Sequence, residues 1–92
     1  MSTPTEPRTL SVRYFAWVRE KTGISEERIA VPANVVTVGD LAMWMQTRGP
    51  EFAAAFAKPD AIRAALDHRH VKADAVIGQA REIGFFPPVT GG

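Results

Sequence analysis

The chain ends in two glycines, directly after the stiff apolar run Phe85-Phe86-Pro87-Pro88-Val89-Thr90. Its last chemical group is therefore the carboxylate of Gly92. Glycine has no Cβ, so Gly91 and Gly92 form the narrowest rod that a polypeptide can present. The two prolines fix φ and reduce the entropy that is lost when a partner orders the segment. We predict that residues 87–92, the C-terminal arm, insert into another protein's active site with the Gly92 carboxylate as the working group.

The composition excludes several kinds of chemistry. The 92 residues include no cysteine, which excludes a disulfide, a thiolate nucleophile and a cysteine-ligated zinc or iron-sulfur site. The 11 basic and 10 acidic residues give a net charge of +1, which is too small to attract nucleic acid or anionic lipid strongly. We therefore expect neither a nucleic-acid nor a membrane partner. No set of nucleophile, base and orienting group is evident. We therefore expect a chain that carries a chemical group rather than an independent catalyst.

The first nine residues contain serine, threonine and proline but no apolar stretch. Such a composition is typical of a short disordered extension and not of a signal peptide. We therefore expect residues 1–9 to be disordered and the protein to be cytoplasmic.

Two histidines raise the question of a metal site. His68 and His70 are two residues apart, and on a strand this spacing would place both imidazoles on one face. Neither a cysteine nor a third ligand lies nearby in the sequence. We therefore interpret the pair as part of a solvated hairpin and predict no metal site.

Periodic patterns predict the elements that position the arm. Apolar residues alternate from Leu10 to Ala16 as in a strand, a short helix over 17–22 ends at Gly23, and a second strand covers 27–31. Thr37 and Asp40 form a near capping box that opens the principal helix, in which Leu41 and Met45 share the core face. Arg48-Gly49-Pro50 ends that helix, and a further short helix is predicted over 51–57.

The second half of the chain completes a sheet. A hairpin is predicted over 62–71 with its turn at 67–69, and a last strand over 82–86 leads into the arm. This order of elements predicts an α+β fold, the β-grasp or ubiquitin-like roll, with a mixed sheet of about five strands packed on one main helix. The final strand would run centrally beside the first. We expect the β-grasp domain to cover 10–86 and the arm to protrude from it.

Three stretches of the sequence resemble a known family, namely Val12–Ala16 with the following Val18-Arg19-Glu20 and Gly23, Ala64–Asp67, and Phe85–Gly92. From Ser11 to Gly92 the chain resembles the small subunits of molybdopterin synthase, which are ubiquitin-like sulfur carriers of molybdenum-cofactor biosynthesis. The terminal stretch is the most specific of the three. The chain departs from the family pattern at 78–82, at Asp67, where an asparagine is usual, and at His70, where an apolar contact residue is common.

The resemblance implies a sulfur-transfer cycle with three partners. An E1-like adenylating enzyme would use ATP to convert the Gly92 carboxylate to an acyl-adenylate, and a sulfur donor would displace AMP to leave a thiocarboxylate. The large catalytic subunit would then use this sulfur to convert precursor Z, cyclic pyranopterin monophosphate, to the dithiolene of molybdopterin. No cofactor would be bound by the chain, which would be an enzyme only as a subunit. By analogy with the family we expect a heterotetramer of two small and two large subunits.

The resemblance also assigns roles along the end of the chain. The residues implied in arm insertion are Gly91, Thr90, Val89, Pro88 and Pro87, and those implied in the partner interface are Phe86, Phe85, Phe15 and His70. From the sequence alone, Phe15 is as consistent with burial beneath the turn at Trp17 as with exposure.

Two alternatives remain open at this point. The chain could carry sulfur for cysteine or thiamine biosynthesis, because related carriers also end in Gly-Gly. It could also be a ubiquitin-like modifier that is conjugated to lysines, or an adaptor that only binds.

Overall fold

The computed structural model describes residues 8–88, and the secondary structure of this range follows the predicted order. The strands and α-helices are β1 (Arg8–Tyr14), α1 (Ala16–Thr22), β2 (Glu26–Val31), α2 (Val38–Met45), α3 (Pro50–Ala55), β3 (Arg63–Leu66), β4 (Arg69–Val71) and β5 (Glu82–Phe86). Two 3-10 turns, Gln46–Arg48 and Pro59–Ala61, join α2 to α3 and precede β3.

The strands of this range form one mixed sheet in the order β2-β1-β5-β3-β4. The central pair, β1 and β5, is parallel, with Val12 opposite Ile83 and Tyr14 opposite Phe85. The other neighbours are antiparallel. The prediction of a five-stranded mixed sheet with the last strand beside the first is therefore confirmed.

Both ends of β1 differ from the prediction. The strand begins at Arg8, two residues before the predicted domain boundary, because Arg8 and Thr9 pair with Val31 and Ala30 of β2. At its other end, Ala16 does not continue the alternation and is exposed. It begins α1 with φ of 54°, a left-handed conformation that turns the chain out of the strand.

The capping box of α2 forms as the sequence predicts. The Asp40 backbone N–H donates to Thr37 Oγ1 at 3.0 Å, and the Thr37 backbone N–H donates to Asp40 Oδ2 at 3.1 Å. The apolar face of this helix places Leu41 and Met45 in the core with no exposed surface. Gly49 ends the 3-10 turn that follows this helix, with φ of 150° and ψ of 171°.

Aromatic side chains fill the core between the helices and one face of the sheet. Tyr14, Phe56 and Phe85 are fully buried, and the rings of Phe56 and Phe85 meet edge to face with centroids 4.9 Å apart. Aromatic pairs in this geometry stabilise a core beyond the burial of their area. The opposite, outer face of the sheet carries the alternate residues of each strand.

Candidate docking face and base of the C-terminal arm

The arm leaves the protein from the middle of the sheet. β5 is paired with β1 on one side up to Phe85 and with β3 on the other side up to Phe86. Pro87 and Pro88 follow this strand directly and are partly buried. The base of the arm is therefore fixed by pairing on both sides. The predicted arm residues Val89, Thr90, Gly91 and Gly92 lie outside the described residues.

Phe85 does not lie on a surface that a partner could reach, and its predicted interface role is wrong. Its side chain is 1% exposed and stacks on Tyr14 at a centroid distance of 6.3 Å. The reason is the period of two along β5, which turns Ile83 and Phe85 into the core. Phe86 therefore points to the outer face.

Phe86 and His70 lie together on the outer face. Their ring centroids are 5.0 Å apart. β3 lies between their strands, with Ala65 opposite His70 and Arg63 opposite Phe86. The structure thus brings together two of the residues that the sequence assigns to the partner interface.

Phe15 belongs to the same side of the sheet and is 44% exposed, which excludes the alternative that it is buried beneath Trp17. Its backbone N–H donates to the carbonyl oxygen of Phe85 at 3.0 Å, so the residue stays attached to β5 after β1 has ended. Its ring lies against Gly84 of β5. We call Phe15, His70 and Phe86 the docking face.

The two histidines do not share a strand. His68 occupies the turn between β3 and β4 with φ of 72°, and its Nε2 lies 3.9 Å from Glu82 Oε2, whereas His70 lies in β4. Between residues 8 and 88, no three histidine or carboxylate side chains lie close enough to hold a metal ion.

Asp67 has a role that sequence analysis missed. Its Oδ1 accepts hydrogen bonds from the backbone N–H groups of Arg81 at 3.0 Å and Glu82 at 3.1 Å. Its own N–H donates to the carbonyl oxygen of Glu82 at 3.0 Å. These bonds attach the β3–β4 turn to the first residue of β5, the strand that leads into the arm. The sequence gives no signal for a bond between positions so far apart.

A polar cluster on the core side of the sheet is structural. The Tyr14 hydroxyl donates to Glu27 Oε2 at 2.7 Å, and Arg48 donates to the same carboxylate. Burial, followed by the hydrogen bond to Glu27, raises the pKa of Tyr14 well above its ordinary value. The raised pKa keeps the Tyr14 hydroxyl protonated, which suits its role as the hydrogen-bond donor to Glu27.

None of the helices between residues 8 and 88 combines the length and the apolar character that crossing a bilayer requires.

Comparison with known proteins identifies the family. The model of the ThiS family matches residues 12–92, which is most of the chain. The chain belongs to the ThiS family. One relative of this ThiS-family chain is the molybdopterin synthase sulfur carrier subunit of Escherichia coli (strain K12). The two are 34% identical over 83 residues, which cover 90% of this chain and 99% of the relative. The family resemblance found in the sequence is thereby confirmed.

Solved structures confirm the ubiquitin-like β-grasp. A putative molybdopterin converting factor, subunit 1, from Pyrococcus furiosus is 26% identical with a TM-score of 0.62, covering 88% of this chain and 98% of its own. The small archaeal modifier protein 1 of Methanosarcina acetivorans is 21% identical with a TM-score of 0.65, covering 94% and 98%. The second likeness concerns the fold alone.

Proposed function

We propose that this ThiS-family chain is the sulfur-carrier subunit of a molybdopterin synthase and acts in the cytoplasm. The observation that supports the proposal most is the route of the chain: a central strand, paired on both sides, leads directly into Pro87 and Pro88 beside an aromatic docking face. The identity of 34% to the Escherichia coli sulfur carrier subunit supports the same function. A sulfur carrier needs a thin terminal segment that can enter the partner's active site, and it needs a rigid strand at the base of that segment.

The chemistry takes place at Gly92. A carboxylate is a poor acyl donor because its oxygen is a poor leaving group, so an E1-like adenylating enzyme spends ATP to form the acyl-adenylate and pyrophosphate. A donor that supplies sulfur at the sulfide oxidation level then displaces AMP, so that a C–S bond replaces the C–O bond to AMP and Gly92 becomes a thiocarboxylate. On the large catalytic subunit, the thiocarboxylate sulfur forms a bond to a carbon of precursor Z, and water then cleaves the bond between that sulfur and the Gly92 carbonyl carbon. This restores the carboxylate and leaves the sulfur on one side of the dithiolene. The general acids and bases belong to the large subunit, and this chain binds no cofactor.

Docking orients the arm for that transfer. Phe15, His70 and Phe86 contact the large subunit, because exposed aromatic side chains are common anchors of interfaces. The six residues from Pro87 to Gly92, extended at about 3.3 Å each, reach roughly 20 Å into its active site. We propose one arm for each large subunit, in a heterotetramer of two small and two large subunits.

Reconstitution tests this function. The purified chain, the adenylating enzyme, ATP, a sulfur donor, the large subunit and precursor Z are combined, and dithiolene formation is measured. We expect conversion with the wild-type chain and none with a chain that carries one residue appended after Gly92 or with Gly91→Ala, although both variants keep the fold. Normal conversion with the appended chain would contradict the proposal.

Other outcomes identify the alternatives. Sulfur loading without conversion of precursor Z would indicate a carrier for cysteine or thiamine biosynthesis. Higher-mass conjugates that survive denaturation would indicate a modifier.

A further inference from the structure

The backbone conformation at position 84 does not require a glycine. It lies in the middle of β5, opposite Arg13 of β1 and Ala65 of β3. The described glycines with positive φ are at positions 23, 49 and 78, and Gly84 is not among them. Glycine in the interior of a strand weakens it, because it lacks a side chain and loses more conformational entropy on folding than other residues. Its presence here therefore needs another explanation.

The Phe15 ring supplies that explanation. A Cβ built on Gly84 would stand 3.1 Å from Phe15 Cε2, which is tighter than nine in ten real Cβ contacts. The alternation along β5 turns residue 84 to the outer face, and yet Gly84 is buried. The aromatic ring occupies the space that a side chain at position 84 would fill.

The backbone of Phe15 is held as well as its ring. Its N–H donates to Phe85 O, and its carbonyl oxygen accepts from the N–H groups of Val18 at 3.1 Å and Arg19 at 3.3 Å. The next residue, Ala16, adopts φ of 54°, which is unfavourable for a residue with a Cβ. These bonds fix the backbone position of Phe15 although its large apolar side chain is partly exposed.

We propose that Gly84 is a positioning residue for docking: by lacking a side chain, it leaves room for the Phe15 ring to lie against the sheet in the orientation that the large subunit binds. The identity of the docking partner rests on the proposed function. Fixing the ring before association removes the entropy cost of ordering it in the complex, which increases affinity without adding a contact.

A double-mutant cycle on binding to the large subunit tests this role. We expect Gly84→Val to weaken binding about tenfold, as loss of an ordered anchor implies. Gly84→Ala should have a smaller effect, because the ring needs to move by only a few tenths of an ångström. In a Phe15→Ala chain, Gly84→Val should change binding very little, since the residue it acts through is gone. An equal loss in both backgrounds would show a direct clash with the partner and would overturn the proposal.

Measurements on the free chain separate this inference from the proposed function. Nuclear Overhauser effects between the Phe15 ring protons and the Gly84 Hα protons are expected in the wild type and in Phe86→Ala. These effects should be lost in Phe15→Ala. In a separate measurement, the melting temperature of Gly84→Ala should not fall below that of the wild type. Absence of these effects in the wild type would overturn the inference whatever the partner is. Their presence, without any binding of the wild type to the large subunit, would instead overturn the proposed function and the docking role with it.

Discussion

Arg48 binds the carboxylate of Glu27 through two hydrogen bonds, from Nη1 to Oε2 at 2.7 Å and from Nη2 to Oε1 at 3.0 Å. Its guanidinium carbon also lies 4.3 Å from the centroid of the Phe52 ring. Glu27 belongs to β2, Arg48 to the 3-10 turn after α2, and Phe52 to α3. The pair therefore connects the edge of the sheet with the helical segment that covers the core.

We expect Arg48→Met to lower the free energy of unfolding by about 1–3 kcal/mol, because Glu27 would lose its partner in a partly buried site. This range is below that of a fully buried pair, since both side chains are about one-fifth exposed. Arg48→Lys keeps the charge but not the planar two-bond geometry, so its loss should be intermediate. Urea unfolding measures both variants. Equal stability of Arg48→Met and wild type would show that the pair contributes nothing.

The same pair makes stability depend on pH. The hydrogen bond from Arg48, opposed by burial and assisted by Tyr14, holds the pKa of Glu27 below its ordinary value of 4.5. On acidification the unfolded chain takes up this proton first, so the stabilisation is fully present above about pH 4.5 and is lost as the pH falls through the lowered pKa.

Unfolding free energies measured from neutral to acidic pH should therefore fall less steeply for Glu27→Gln than for the wild type. Part of the pH dependence of the unfolding free energy should remain in Glu27→Gln, because the backbone N–H groups of Thr37 and Val36 lower the pKa of Asp40 as well. Identical slopes for Glu27→Gln and wild type would be inconsistent with this assignment.

Truncation of Phe85 should mainly lower the stability of the fold, whereas truncation of its neighbour Phe86 should mainly weaken binding to the large subunit. Phe85→Ala leaves a cavity among Tyr14 and Phe56 and is expected to cost about 3–5 kcal/mol of stability. Phe86→Ala, on the outer face, should cost less than about 1 kcal/mol but should weaken binding to the large subunit. Denaturant unfolding and titration with the large subunit measure the two effects. Similar losses of stability for both variants would contradict the assigned faces.

The capping box offers a local test of helix α2. Thr37→Ala removes the acceptor of the Asp40 N–H and is expected to lower the free energy of unfolding by about 1 kcal/mol. Thr47→Ala is the matched control, since this exposed threonine bonds only the carbonyl oxygen of Trp44 within its own turn. Its effect should stay within about 0.5 kcal/mol. A larger loss for Thr47→Ala than for Thr37→Ala would refute the capping role.

The sequence predicts those structural features that depend on a pattern of residues close together in the chain. The alternation of Leu10, Val12 and Tyr14 identifies β1 and its buried face, and Thr37 with Asp40 identifies the start of α2. These features follow from periods and caps within a few residues, which is why the element order and the sheet could be derived.

The sequence does not predict what depends on distant partners. Phe85 and Phe86 are identical residues, and only the register of β5 against β1 and β3 decides which one is buried. The Phe15 ring lies against Gly84 of β5, a residue that is distant from it in the sequence. The bonds of Asp67 to the start of β5 likewise arise only after the sheet has formed.

The most direct test of the central claim is the intact mass of the protein after incubation with the adenylating enzyme, ATP and a sulfur donor. We predict a gain equal to the replacement of one oxygen by sulfur, localised to Gly92, that requires ATP and is absent from a chain with one appended residue. No gain in a system that loads a known sulfur carrier, or a gain localised elsewhere in the chain, would contradict a sulfur-carrying C-terminus.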